Sequence, residues 1–308
     1  LLSRLVRKLL SKKNMHLRQK AHALLFMLIC ETKRLLFGQK YFAEVDITDN
    51  CNLRCKHCYH FRNPFKEIKK KELSLDSWKK RFNGLHKKGI RFMLLVGGEP
   101  TLRQDVIEFA YRKFPVVHII SNGIIKIPKK LGRLIIFLSV DGAKEKSEAI
   151  RGKGTFEKVL SNYSGDRRVI LNMTLLKDNY TDLEALVKTS KKHNFRGVVC
   201  NFYTTSPNYP DPMFIEKKDR ALIIKEIKRV KKLYPNDLLL TKSMITWYAK
   251  PDHTDRCFWG DEVLHFDVSW QRRRCFSAPG CSNCGCFAGA CQNPLHLLRY
   301  LREAIKLV

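Results

Sequence analysis

Six short apolar runs, at residues 42–47, 92–96, 116–120, 134–140, 169–174 and 197–203, recur along the chain, most of them separated by helical patterns. Strands of that kind alternating with amphipathic helices specify a parallel sheet, because parallel neighbours need a crossover and a helix supplies it. The helices are legible from their caps. Ser74 precedes Leu75, Trp78, Phe82 and Leu85 on one helical face, and Thr181 with Glu184 reads as a capping box before Leu183, Leu186 and Val187. Residues 217–233 turn Leu222, Ile223, Ile227 and Val230 to a core and Lys225, Lys228, Lys231 and Lys232 to solvent. A stretch with three prolines at 204–212 ends the alternating part. With 44% hydrophobic residues in 308, the chain can bury such a core, which excludes disorder along its length.

Eleven cysteines are too many for an ordinary cytosolic enzyme, and their spacing is uneven. Cys51, Cys55 and Cys58 form one group; Cys257, Cys275, Cys281, Cys284, Cys286 and Cys291 form another; Cys30 and Cys200 stand alone. Thiolates that converge are soft ligands for iron–sulfur clusters or zinc, and they persist in a reducing compartment, which places the protein in the cytoplasm. The first group, Cys51-Asn52-Leu53-Arg54-Cys55-Lys56-His57-Cys58, directly follows the first apolar run. Three cysteines on a cubane cluster leave one iron without a protein ligand, and an open iron is a reaction site. A structural zinc would need a closed set of four, for which His57 and His60 are the local candidates.

The Cys-x3-Cys-x2-Cys loop after the first strand resembles the signature of the radical S-adenosylmethionine enzymes, and further marks of that family recur in order. Gly97-Gly98-Glu99-Pro100 follows the second strand, Ser121-Asn122-Gly123 the third and Ser139-Val140-Asp141-Gly142 the fourth; Arg151-Gly152 and Gly154-Thr155-Phe156 then open the next helix. The resemblance implies a partial (β/α)6 TIM-like barrel at 41–212, an α/β fold with its chemistry at the C-terminal ends of the strands. It implies two cofactors, a [4Fe–4S] cluster on Cys51, Cys55 and Cys58 and S-adenosylmethionine on its open iron. By the same resemblance, Gly97, Gly98, Glu99 and Pro100 bind the cofactor: the glycines let backbone approach the methionine part, and Glu99 or nearby backbone holds its ammonium. Ser121, Asn122, Ser139 and Asp141 offer polar groups to the ribose and sulfonium. Arg151 would neutralise the cofactor carboxylate, and His57 stands where an aromatic residue often stacks on adenine. The implied activity is reductive cleavage of S-adenosylmethionine to a 5′-deoxyadenosyl radical, fed by a low-potential electron donor.

The extension at 213–308 carries the second cysteine group, for which a second iron–sulfur cluster on Cys257, Cys275, Cys281 and Cys284 competes with a zinc knuckle built on Cys281 and Cys284. Cys286 and Cys291 are close enough to substitute. The pattern departs from the extension of peptide-modifying family members, since Trp270 stands where they have glycine. Cys257-Phe258-Trp259-Gly260 and Ser269-Trp270-Gln271-Arg272 before Cys275 look instead like the hopanoid-biosynthesis radical enzymes, the adenosylhopane synthase-like branch, which act on membrane-embedded triterpenes.

Fifty-nine Lys and Arg against 29 Asp and Glu leave a net charge of +30, which calls for an anionic partner. Ten of those bases and one acid, Glu31, fall in residues 1–40, where Leu2, Leu5, Val6, Leu9 and Leu10 sit at helical spacing. That segment reads as a basic amphipathic helix, suited to packing on the domain or to lying on an anionic membrane surface, where each basic residue contributes about 1 kcal/mol. No run reaches the roughly 18 apolar residues of a spanning helix; the most apolar stretch, 21–30, lacks the small-residue cleavage site of a signal peptide. The sequence opens on Leu1 rather than methionine, which leaves its true beginning open. Three functions follow in order: a radical enzyme, peripheral on the membrane, modifying an isoprenoid or other lipid; a radical enzyme modifying a peptide or RNA; and a metal-stabilised nucleic-acid-binding protein without catalysis.

Overall fold

The computed structural model describes residues 15–61, 72–204, 211–249, 257–275, 280–286 and 288. Of these, 15–41 belong to one compact unit and those from Phe42 onward to a second. In the second unit six strands form a parallel sheet in sequential order, β1 (Phe42–Asp46), β2 (Phe92–Val96), β3 (Val116–Ser121), β4 (Ile135–Ser139), β5 (Val169–Leu175) and β6 (Gly197–Phe202). These are the six apolar runs, and the fold is the expected α/β partial barrel. Two further strands that periodicity did not announce lie beyond β1. β7 (Leu264–Phe266) pairs parallel with β1, and β8 (Arg272–Arg273) returns antiparallel to it. The cysteine-rich segment, expected to hold few regular elements, thus contributes strands to the same sheet.

Strand alternation divides the sheet into two faces. Ala43 and Val45, Met93 and Leu95, Val117 and Ile119, Ile136 and Leu138, Leu171 and Met173, and Val198 and Cys200 join the helices in one core. The residues between them face the other way, and towards the strands' C-terminal ends they are polar: Asp46, Ser139, Asn172, Thr174 and Asn201.

The helix Leu75–Lys87 begins as its sequence predicts, with Ser74 Oγ accepting the Ser77 N–H at 3.2 Å and Trp78, Phe82 and Leu85 buried. Two other expectations are corrected. The Thr181–Glu184 capping box does not form: a 3₁₀ turn, Tyr180–Asp182, leads into Leu183–Lys192, and Glu184 binds Arg229 and Lys188 instead. In Arg220–Leu233 the buried stripe is Arg220, Ile223, Ile224, Ile227 and Val230, while Leu222 is 61% exposed, because 222 falls off the i, i+3, i+4, i+7 face. On the same helix Lys231 Nζ binds the carbonyls of Pro235 and Leu238, so that lysine closes the following turn.

In the first unit a single described helix, Met15–Phe37, ends at Gly38, whose N–H reaches Arg34 O at 2.9 Å. Glu31 is buried between Arg34 and the Tyr41 hydroxyl, whereas Leu25, Ile29, Leu35, Leu36 and Phe37 are exposed. The predicted helical positions Leu2 to Leu10 lie outside the described residues. Among the described residues no helix is long and apolar enough to cross a membrane.

Candidate active site

The loop carrying Cys51, Cys55 and Cys58 leaves the end of β1 and is fastened to the end of β2 by an extension of their ladder. Ile47 N–H reaches Val96 O at 3.0 Å, Gly98 N–H reaches Thr48 O at 2.8 Å and Glu99 N–H reaches Asn50 O at 2.8 Å. A side chain on either glycine would block this approach. A Cβ at Gly97, whose φ is +133°, would stand 2.3 Å from Thr48 O, and one at Gly98 would stand 2.2 Å from Asn50 O. The two glycines therefore admit the cysteine loop itself.

Glu99 is likewise taken up internally. Its Oε1 accepts the Thr101 N–H (3.0 Å), the Thr101 hydroxyl (2.6 Å) and the Ser121 hydroxyl (2.8 Å), and its Oε2 accepts the Asn122 N–H at 2.7 Å. Burial raises its pKa against the pull of those donors. Those bonds make Glu99 a clip that joins the ends of β2 and β3, with Pro100 opening the 3₁₀ turn behind it. Ser121 Oγ also accepts the Gly123 N–H, and Asn122 Oδ1 accepts the Ile124 N–H. Asn122 Nδ2 donates to Asn52 Oδ1 at 2.7 Å and lies 3.9 Å from Cys51 Sγ.

At the end of β4, Asp141 is fully buried. Its Oδ1 accepts the Thr174 N–H at 2.8 Å, while its Oδ2 faces Arg151 Nε at 2.7 Å and His57 Nε2 at 3.0 Å. Burial would raise this carboxyl, but the facing Arg151 and His57 override it and hold it well below the usual carboxylate range. Arg151, expected on the cofactor carboxylate, has a neighbour at each nitrogen: Asp141 at Nε, Cys55 Sγ at 3.8 Å from Nη1 and His57 Nε2 at 3.5 Å from Nη2. Asp141 is correspondingly engaged by protein groups at both carboxylate oxygens. Ser139 stands at the strand end opposite Asn172, half-buried on the polar face.

The donor set fits the cluster implied by the resemblance. All three loop cysteines are free thiols, with N–H donors at two of them: Leu53 N–H at 3.4 Å and Asn122 at Cys51, and Arg151 at Cys55. Burial pushes the Cys51 thiol up to about 11 and raises Cys55 in spite of Arg151 beside it. Only a coordinating metal would bring such thiols to the thiolate near neutrality, so loading must release protons. His57, the candidate for adenine, is buried, and its Nδ1 has no hydrogen-bond partner among the described residues.

The thiols of the second group lie near enough to influence one another. The thiols of Cys257, Cys281 and Cys284 act electrostatically on one another, and Cys286 joins through Cys284, Cys257 and Cys275. Burial first and the neighbouring thiols second push Cys284 up to about 11 and raise Cys286 well above the ordinary thiol value. The turn carrying Cys281 and Cys284 docks on the end of β6, with Phe202 N–H on Gly285 O and Gly285 N–H on Thr204 Oγ1, both at 3.0 Å. Cys291 lies outside the described residues. Trp270, noted for standing at a glycine position, has φ +67°, the left-handed backbone that glycine favours. Its ring stacks on Phe266 at 4.1 Å, which holds the turn despite that conformation.

Sequence reading missed one assembly. Glu44 and Asp46 on β1 are buried and meet the C-terminal segment: Arg273 of the hairpin forks both Asp46 oxygens at 2.8 and 2.9 Å, and Trp259 Nε1, from the helix before it, donates to Glu44 Oε2 at 2.9 Å. The available signal was two acids within an otherwise apolar strand. Asp46, Asp49 and His60 bring ligand atoms within 4.8 Å of one another, but Arg273 already pairs with Asp46 and His60 Nε2 lies 3.0 Å from Asp49, so these groups are taken up by protein partners.

A family model described as the Radical SAM superfamily matches residues 45–190, the span holding all of the strand-end groups above up to Thr174. Among curated proteins, the chain is 32% identical over 156 residues to Fe-coproporphyrin III synthase of Methanosarcina barkeri, covering 46% of this chain and 38% of that one. It is 30% identical over 152 residues to GTP 3′,8-cyclase of Aliarcobacter butzleri (45% and 47%), and 26% over 166 residues to the mycofactocin maturase of Mycolicibacterium smegmatis (48% and 41%). The chain spans less than half the length of each of these relatives. Among solved structures, Streptococcus suis SuiB bound to S-adenosylmethionine superposes with TM-score 0.62 at 13% identity over 86% of this chain and 66% of that one. Native anSMEcpe with bound AdoMet gives 0.58 at 14% identity over 77% and 76%. At such identities the likeness shows the fold alone.

Proposed function

We propose, from the premise that this chain carries a radical S-adenosylmethionine superfamily domain, that it is an enzyme that modifies a polar substrate, with a peptide the favoured class. The family's cofactors, S-adenosylmethionine and a [4Fe–4S] cluster fed by a low-potential electron donor, supply the hard chemistry, a 5′-deoxyadenosyl radical. The protein's part is to hold, orient and shield. Cys51, Cys55 and Cys58 hold the cluster, Gly97 and Gly98 admit their loop, and Glu99, Asn122 and the Asp141–Arg151 pair fix its surroundings. His57 Nδ1, without a hydrogen-bond partner among the described residues, is a polar atom left for S-adenosylmethionine. The single observation that carries this reading is three free thiols on one loop, clamped to the ends of β1 and β2, with no fourth cysteine in the loop.

The substrate class rests on the polar face at the strand ends, where Asn201 Nδ2 donates to Asn172 Oδ1 at 3.1 Å beside Ser139 and Thr174. Paired carboxamides match amide groups and have nothing to offer a hydrocarbon. A second reading, a membrane isoprenoid acted on by a peripheral enzyme, draws on the exposed Leu25, Ile29, Leu35, Leu36 and Phe37 and the +30 charge. The non-catalytic nucleic-acid-binding alternative loses its ground to the domain match. For the C-terminal thiols we retain a second iron–sulfur cluster, with Cys286 joining Cys257, Cys275, Cys281 and Cys284 as ligand candidates. Anaerobic reconstitution under strong reductant tests the reading: wild-type protein is expected to form 5′-deoxyadenosine and Cys55→Ala none. Equal turnover in the two would contradict it.

A further inference from the structure

The loop thiols do not have equivalent neighbours. Cys51 faces neutral donors, the Leu53 N–H and Asn122 Nδ2, whereas Cys55 faces the Arg151 guanidinium at 3.8 Å. That cation is rigidly held. Asp141 takes its Nε at 2.7 Å and is itself fixed by the Thr174 N–H, and the neighbouring Ile150 carbonyl accepts the Lys56 N–H at 3.0 Å, tying helix Lys144–Arg151 to the cysteine loop. The Arg151 side chain is 10% exposed, so little water screens it.

Hydrogen bonds and positive charge beside a cluster thiolate favour the more negative, reduced state, and they are among the levers that set the potential of iron–sulfur centres. We propose that Arg151, aimed by Asp141, raises the reduction potential of the cluster on the cysteine loop by donating to Cys55. This rests on the cluster reading above. The step is electron transfer alone: one electron leaves an external low-potential reductant such as dithionite and enters the cluster, whose charge becomes more negative by one, and no bond forms or breaks. Arg151 acts through Cys55 and Asp141 through Arg151, so both are positioning residues.

The test is a mediated redox titration of the full-length reconstituted protein, following the paramagnetic resonance signal that changes on adding S-adenosylmethionine. Arg151→Gln is expected to lower the midpoint by about 59 mV, a tenfold loss in the one-electron reduction constant, with iron content unchanged. Arg151→Lys keeps the charge without the fork and should fall by less. An unchanged midpoint in an iron-replete Arg151→Gln protein overturns the proposal; if that variant loses its iron, an unchanged midpoint in Arg151→Lys does so. Loss of iron from both variants would mean that Arg151 holds the loop, and overturns it too. A wild-type chain that takes up no iron would overturn the cluster reading itself and this inference with it.

Discussion

The two thiol groups are built on opposite plans. The loop group presents three cysteines within eight residues, on backbone laddered to the end of β2 and beside donors from the end of β3 and from helix Lys144–Arg151. The C-terminal group draws its described thiols from residues 257–286, across a short helix, a hairpin and a 3₁₀ turn. It has more sulfur than one closed site needs, whereas the loop has less. Scarcity beside a rigid scaffold makes an open, reactive centre; surplus on a short-element segment suits a closed centre that holds the segment together.

The largest expected effects separate the two directly. Cys55→Ala should abolish 5′-deoxyadenosine formation while leaving metal at the second group, and Cys284→Ala should spare the loop's metal; loss of all iron from either variant would merge the groups into one. Next comes the joint between them. Arg273→Met leaves Glu44 and Asp46 buried without their cation and should cost about 3 kcal/mol in unfolding free energy, read by urea denaturation. A change under about 0.5 kcal/mol would mean that the hairpin is not held through β1.

Smaller effects sharpen the comparison on each side. Gly98→Ala drives a Cβ to 2.2 Å from Asn50 O, and Gly285→Ala drives one to 2.2 Å from the Phe202 Cβ. Each should cost about 2 kcal/mol by overpacking, and metal analysis should find the first depleting only the loop and the second only the C-terminal group. The smallest effect tests the lipid reading: Leu25→Ser with Ile29→Ser should weaken flotation with anionic vesicles by about tenfold, or 1.4 kcal/mol, without altering cofactor cleavage. Unchanged flotation would remove the membrane argument.

The same contrast explains what the sequence made legible. β1 to β6 announce themselves because each is a local apolar run, and the cysteine loop because its spacing is local as well. β7 and β8 do not, since three residues including His265 become a strand only by pairing with β1 more than two hundred residues away, and two residues including Arg273 only by pairing with β7. At the site, residue identities were readable but several of their partners were not. Glu99, Asp141 and Arg151 are engaged by protein groups, and Gly97 and Gly98 by loop backbone, which no spacing rule reveals. Glu184 was drawn from its cap by Arg229 on another helix. At Trp270 the departure from glycine was visible, but its consequence, a left-handed tryptophan held by Phe266, needed the fold.

The central claim is that the loop after β1 alone holds an open iron centre. Its most direct test is the paramagnetic resonance spectrum and iron count of reduced, full-length protein carrying Cys281→Ala and Cys284→Ala, with and without S-adenosylmethionine. About four irons per chain and a signal that shifts on adding S-adenosylmethionine are predicted; an iron-free protein, or a cluster signal indifferent to S-adenosylmethionine, would contradict the account.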